Sequence, residues 1–189
     1  MVSGAQGLRP AVFLDRDGVI VIPEFRDRRS FAPRRLEDFR LYPEAAASLQ
    51  RLKRAGFLLA VVTNQPDVGN GLISRSEVDA MHATMTRELP VDAVKACFHR
   101  QDEHCDCRKP KPGMILEAAR ELGINLEKSF MVGDRNSDVE AGRAAGCTTL
   151  FIDLGYAEPA PDGPDYVVRS IAEAADVIVK TTLTVQEAP

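Results

Sequence analysis

The sequence predicts an α/β fold: a Rossmann-like three-layer sandwich with a central parallel sheet. Three observations point there. Short apolar runs alternate with amphipathic stretches, as in strands joined by crossover helices. Three of the runs stop at a polar residue, Asp15, Thr63 and Asp134, and in open parallel sheets the ligand crevice lies outside those carboxyl ends. The 189 residues are 44% hydrophobic and 28% charged, an ordinary globular composition that can bury a core in one compact domain, 1–189, without a disulfide scaffold.

The first strand is Ala11 to Leu14. The segment from about 18 to 40 reads as an insertion rather than scaffold, with Arg26, Arg28, Arg29, Arg34 and Arg35 opposed only by Asp27. Tyr42 to Ala55 carries Ala46, Leu49 and Leu52 at helical spacing and stops at Gly56. A second strand, Phe57 to Val62, leads to Thr63. Ser74 followed by Glu77 has the capping-box spacing and opens a helix that runs to Leu89. Val94 to Phe98 is a third strand, and 97–107 a second insertion. Pro112 to Leu122 is a helix ended by Gly123, Phe130 to Val132 a strand, Ser137 to Ala145 a helix ended by Gly146, and Leu150 to Ile152 a strand. Tyr166 to Val168 and Ile171 to Val179 close the domain as strand and helix, with a frayed tail from Lys180.

Several function classes are disfavoured. No run of ~18 apolar residues occurs and Met1 to Pro10 lacks the apolar core of a secretory signal, so the expectation is a cytoplasmic protein with no membrane partner. The net charge of −4 argues against a dedicated nucleic-acid binder. Gly69-Asn70-Gly71 lacks the third glycine and strand context of a dinucleotide loop, and no Walker-type Gly-Lys-Ser/Thr is present.

Two clusters carry chemistry. Asp15 and Asp17 stand two residues apart where an extended chain leaves the sheet, so one can attack while the other handles protons, given unlike environments. Taken alone, Asp-x-Asp is an ordinary turn with solvated acids. The second cluster, Cys97, His99, Cys105 and Cys107, supplies three thiolates and one imidazole, the number and softness of a closed, structural Zn²⁺ site, with His104 as a substitute for His99. Such an ion would pin the loop that delivers Arg108 and Lys109. Cys147 reads as a small core residue, His82 as a surface or packed histidine, and Lys111 as an accessory charge.

Phe13-Leu14-Asp15-Arg16-Asp17-Gly18-Val19, Val62-Thr63-Asn64-Gln65, Arg108-Lys109-Pro110 and Gly133-Asp134-Arg135-Asn136-Ser137-Asp138 stand in the order of the four motifs of the haloacid dehalogenase-like (HAD) phosphatases. Over residues 11–153 the chain resembles that superfamily, and its zinc-loop pattern resembles the branch that holds the heptose-bisphosphate and histidinol-phosphate phosphatases. The resemblance implies a flap over the active site at about 18–40 and, since no separate cap domain fits into 189 residues, an open crevice whose selectivity comes from loops. It implies that Asp15 is the nucleophile and Asp17 the acid/base. It also implies that Thr63 and Lys109 hold the phosphoryl oxygens beside Asn64, Gln65, Arg108 and Arg135. Asp15, Asp134 and the main-chain carbonyl of Asp17 would bind catalytic Mg²⁺, and Asp138 would orient Lys109 or a metal-bound water. An oxygen-only donor set favours Mg²⁺ over Zn²⁺ there.

The implied substrate is a small phosphorylated sugar, specifically the C7 phosphate of D-glycero-D-manno-heptose 1,7-bisphosphate, and the implied state a monomer. Arg135 in place of the usual Lys, Pro66-Asp67 and Asn70 depart from the common heptose forms, which bears on selectivity rather than on chemistry. Histidinol phosphate and a DNA 3′-phosphate are the alternative substrates. A phosphoryl-accepting signalling domain and a nucleic-acid-binding zinc module are the readings from other classes.

Overall fold

The first strand can occupy the middle of a sheet because both of its faces are apolar. In β1 (Ala11–Leu14), Ala11 and Phe13 belong to one core cluster and Val12 and Leu14 to another, and all are fully buried. The computed structural model describes residues 7–26 and 29–186. After β1 come β2 (Glu24–Arg26), β3 (Arg29–Phe31), α1 (Ala45–Arg54), β4 (Leu58–Asn64), α2 (Pro66–Gly69), α3 (Arg75–Glu88) and β5 (Ala93–Cys97). The chain continues through α4 (Gly113–Leu122), β6 (Phe130–Gly133), α5 (Asn136–Ala145), β7 (Thr148–Ile152), β8 (Tyr166–Val168) and α6 (Ile171–Gln186).

Six strands form one parallel sheet in the order β5-β4-β1-β6-β7-β8, with Leu14 in register with Val61 on one side and Val132 on the other. The chain runs outward from β1 to β5 and then returns to β6 beside β1. The order of strands reverses there, which opens a crevice at the carboxyl ends of β1, β4 and β6. Helices α1, α3 and α6 cover one face, where Leu49, Leu52, Met81, Met85, Ala174 and Ile178 pack with Leu14, Val61 and Val132. Helices α4 and α5 cover the other, with Ile115, Ala118, Ala141 and Ala145 against Phe13, Val62 and Met131. The expected three-layer architecture is what the structure shows.

The departures from expectation are local. The flap is not irregular throughout: β2 and β3 pair antiparallel, Glu24 opposite Phe31 and Arg26 opposite Arg29, in a two-stranded ribbon outside the main sheet. Arg28 and Asp27 of the arginine run lie outside the described residues. The expected start of α1 at Tyr42 moves to Ala45, past Pro43. Only half of the capping box forms, because Ser74 Oγ accepts from the Glu77 N–H while the Glu77 carboxylate turns away to accept from the Leu36 N–H. The tail expected to fray from Lys180 continues α6 to Gln186. Among the described residues no helix is long and apolar enough to cross a membrane.

Candidate active site

The carboxyl ends of β1, β4 and β6 bring Asp15, Thr63 and Asp134 together, as expected, and the loop after β5 adds Lys109; each of these four is almost wholly buried. They stand at or beside a cleft of about 360 Å³ that Asp15, Asp17, Asn64, Gln65, Arg108, Lys109, Arg135 and Asp138 help to line, with Ser30 to Ala32 of the flap on the opposite wall. A larger open groove of about 690 Å³ along Arg34–Glu37 and Ile73–Glu77 contains none of the strand-end residues.

Lys109 sits at the centre of the charge. Its Nζ donates to Asp15 Oδ1 at 2.7 Å and to the Val62 carbonyl at 2.8 Å, and it pairs with Asp138 Oδ1 at 2.6 Å. Burial alone would lower the pKa of this ammonium, but the carboxylates of Asp138 and Asp15 outweigh it and raise the value. Asp138 is placed by its position on the first turn of α5, where Oδ2 also accepts from the Arg135 N–H at 3.0 Å. At Asp134 burial acts in the same direction as its neighbours: burial, then the charges of Asp15 and Asp138, push its carboxyl well above the usual range.

The donor set fits a divalent cation. Asp15, Asp134 and Asp138 place carboxylate oxygens within 4.8 Å of one another, against a single ammonium. Tyr156 donates its hydroxyl to Asp134 Oδ2, while Asp134 Oδ1 is buried with no hydrogen-bond partner. A buried unpaired carboxylate oxygen is costly, and an oxygen-seeking ion would relieve it. The chain at Gly18 leaves the room: with φ +87°, a Cβ there would lie 2.0 Å from Asp134 Oδ2.

A second donor set stands just behind. Cys97, His99, Cys105 and Cys107 converge within 4.8 Å, all four cysteines of the chain being free thiols. The separations are 3.7 Å for Cys97 Sγ to Cys105 Sγ, 3.5 Å for Cys97 Sγ to His99 Nδ1 and 3.3 Å for Cys107 Sγ to His99 Nδ1. Tetrahedral Zn²⁺ with Zn–S of about 2.3 Å has ligand edges of about 3.7 Å, so the spacing suits that ion. Burial, with the sulfurs of Cys97 and Cys105, pushes the Cys107 thiol up to about 12, and burial raises Cys97 as well. At Cys105 burial is outweighed by the Arg108 backbone and the neighbouring cysteines, which lower the thiol; a cation would favour the thiolate at Cys97 and Cys107. The loop's far end is tied to the sheet by a reciprocal amide clamp: Asn64 Nδ2 donates to the Lys109 carbonyl and Lys109 N–H to Asn64 Oδ1, both at 3.1 Å.

Across 150 residues the chain is 39% identical to a D-glycero-beta-D-manno-heptose-1,7-bisphosphate 7-phosphatase of Rhodopseudomonas palustris, covering 73% of this chain and 80% of that protein. The chain belongs to the HAD-like phosphatases. A relative of the same name from Pasteurella multocida is 33% identical over 90% of this chain and 97% of its own length. Residues 106–174 match the family model described as HAD-hydrolase-like. Among solved structures, a D,D-heptose 1,7-bisphosphate phosphatase from B. bronchiseptica, complexed with magnesium and phosphate, superposes with a TM-score of 0.78 at 28% identity over 91% of this chain and 99% of that one.

The HAD-like frame also shows which expected contacts are spent elsewhere. The Asn64 amide is used on the Lys109 backbone. Arg135 lines the cleft, but its guanidinium donates to Glu158 and to the Ser30 carbonyl and Oγ. Gln65 Nε2 donates to Asp17 Oδ2 and Thr63 Oγ1, each at 2.9 Å. Of the arginine run, Arg26 pairs with Glu24, Arg35 with Glu37, and Arg34, which lines the cleft, with Asp67 at 2.7 Å. Arg108 keeps a buried Nη1 with no acceptor, a donor free for an anion.

Three side chains were not foreseen as part of this HAD-like site: Ser30, Tyr156 and His82, the last reaching Arg16 Nη1 at 3.2 Å. His82 alone left a signal, since it shares the inward face of α3 with Val78, Met81 and Met85. Tyr156 and Ser30 come from segments with no periodicity to read.

Proposed function

We propose that this chain is a Mg²⁺-dependent phosphomonoesterase that removes the C7 phosphate of D-glycero-D-manno-heptose 1,7-bisphosphate by way of an aspartyl-phosphate on Asp15, acting as a monomer without a nucleic-acid or membrane partner. The observation that carries the reading is the buried carboxylate trio around Lys109, with one Asp134 oxygen unpaired and an unpaired Arg108 donor beside the same cleft. The curated relatives, named for that substrate, support the choice of sugar.

Each residue has a defined task. The Asp15 carboxylate attacks phosphorus as the bond to the C7 oxygen breaks, and Asp17 gives that oxygen its proton. Asp17, now a carboxylate, takes a proton from the water that attacks the aspartyl-phosphate, which frees inorganic phosphate and restores Asp15. Lys109 and Thr63 hold the phosphoryl oxygens, and Asp138 holds Lys109 in place through their 2.6 Å ion pair. Arg108 takes a phosphate oxygen of the substrate, while Arg135 secures the flap. Gln65 steadies Asp17 and Thr63, and Asn64 sets the height of Lys109. Asp15, Asp134 and the Asp17 carbonyl would hold Mg²⁺, which when bound neutralises negative charge at the reacting phosphate. Cys97, His99, Cys105 and Cys107 would hold Zn²⁺ as a structural ion.

The deciding experiment measures phosphate release with Mg²⁺ from the heptose bisphosphate, histidinol phosphate and a 3′-phosphorylated oligonucleotide, with Asp15→Asn as control. Preference for the bisphosphate and loss of turnover in Asp15→Asn are expected. Preference for either other substrate would overturn the substrate assignment, and turnover retained by purified Asp15→Asn would overturn the mechanism.

A further inference from the structure

Arg16 is fully buried and is the largest such side chain among the described residues. A guanidinium out of water is tolerated only when its N–H groups find acceptors. Here Nε lies 3.1 Å from Asp17 Oδ1 and Nη2 2.9 Å from Asp17 Oδ2, a fork on the carboxylate. The remaining edge meets α3, where Nη1 lies 3.2 Å from His82 Nε2, and the Phe39 ring lies 5.7 Å from the guanidinium carbon. Arginine has no lone pair to offer, so the imidazole must accept through Nε2 and carry its proton on Nδ1. Burial, followed by the Arg16 charge, pushes His82 down to about 4, consistent with a neutral ring.

We propose that His82 is a positioning residue for Asp17: by holding the third corner of the Arg16 guanidinium, it fixes the plane in which that cation grips the acid/base carboxylate. This rests on the reading of Asp17 as the acid/base. Two points on Asp17 leave the guanidinium free to tilt about the line joining them, and the contact to α3 removes that freedom. A neutral acceptor suits the task, because a carboxylate at position 82 would compete with Asp17 for the same cation. With Gln65 donating from the other side, Asp17 is held between β4 and α3, although it leaves the sheet at the end of β1.

The test compares kcat/KM of Asp17→Asn, His82→Leu and His82→Gln on the alkyl phosphate substrate and on 4-nitrophenyl phosphate, a ratio that reports only the first step, so the later step in which Asp17 serves as base does not enter. The nitrophenolate departs without a proton, so loss of a well-placed acid is felt by the alkyl ester and hardly by the aryl ester. Leu fills the space without accepting a hydrogen bond, whereas Gln offers a carbonyl. A general acid contributes on the order of 10²–10⁴-fold, and misplacing it is expected to cost His82→Leu about tenfold or more in kcat/KM on the alkyl ester. The aryl kcat/KM should stay within about threefold, and Gln should recover most of the loss.

Equal losses on both esters in His82→Leu, with Asp17→Asn still selective, would overturn the proposal and leave His82 a packing residue. Absence of selectivity in Asp17→Asn itself would overturn the acid/base reading instead. Should His82→Leu not fold, His82→Ala carries the same comparison. The ring borders a surface cavity of about 240 Å³ through which added imidazole can enter, and restoration of the alkyl rate alone is then the expected result.

Discussion

Asp134 bears the sharpest electrostatic conflict among the site residues, buried beside Asp15 and Asp138 with one oxygen unpaired and the other held by Tyr156. The tyrosine orients the carboxylate in the way outer partners orient metal ligands, so Tyr156→Phe should weaken Mg²⁺ binding by about 10- to 100-fold, read by calorimetric titration with Mg²⁺. His82 gives a separate, global signature. Its value of about 4 arises from burial and from Arg16, with Arg75 adding to the decrease and Asp79 opposing it. Between that value and its ordinary value of about 6.5 the folded chain binds fewer protons than the unfolded one, so stability rises with pH across the window and falls as pH drops toward 4. The fall attributable to this ring is at most about 3 kcal/mol, and urea titrations from pH 4 to 7 should show it flattened in His82→Gln. Legibility at this scale followed chain position. Asp15, Thr63 and Asp134 could be read because each ends an apolar run; Asn64 was read as a phosphate contact, yet its amide serves a backbone forty-five residues away. Pairings of that range leave no trace in a local pattern.

Elements were read well where an apolar run or a terminating glycine marks them and poorly where neither does. Strands β1, β4 and β6 announce themselves as apolar runs, and α4 and α5 end at Gly123 and Gly146 as expected. The hairpin β2–β3 has three-residue strands with exposed positions at Arg26, Arg29 and Phe31, too short and too polar for alternation to stand out. Continuation of α6 past Lys180 similarly has no clear amphipathic warning, since Thr181 and Thr182 satisfy their hydroxyls on the carbonyls of Val177 and Ile178. Close packing of α5 on the sheet gives a sharp test. A Cβ at Gly142 would fall 2.6 Å from Met131 Cβ and 2.9 Å from Thr149 Cγ2. Gly142→Ala gains about 1 kcal/mol of helix propensity but must push apart α5 and β6, and a net loss of about 1–2 kcal/mol is expected from the urea midpoint.

At the scale of the molecule, two peripheral structures converge on one cleft. The cysteine loop hands over Arg108 and Lys109, and the Asn64 clamp transmits its position to β4. Cys105→Ser, or treatment of the unaltered protein with a zinc chelator, should therefore lower phosphate release by about tenfold or more; Zn²⁺ should restore the chelated protein and excess Mg²⁺ neither, as followed by metal analysis beside the assay. The hairpin approaches from the other side and is held by side chains: Arg135 on Ser30, Tyr156 against Phe25 at 5.7 Å, and Arg34 of the following segment on Asp67. No strand of the six-stranded sheet pairs with it. The ribbon is thus a detachable fitting on an engine that runs beneath it. On the proposed function, exchanging its sequence for that of another hairpin, by drift or by grafting, would redirect which phosphate ester is admitted, while Asp15 and Asp17 would stay where they are.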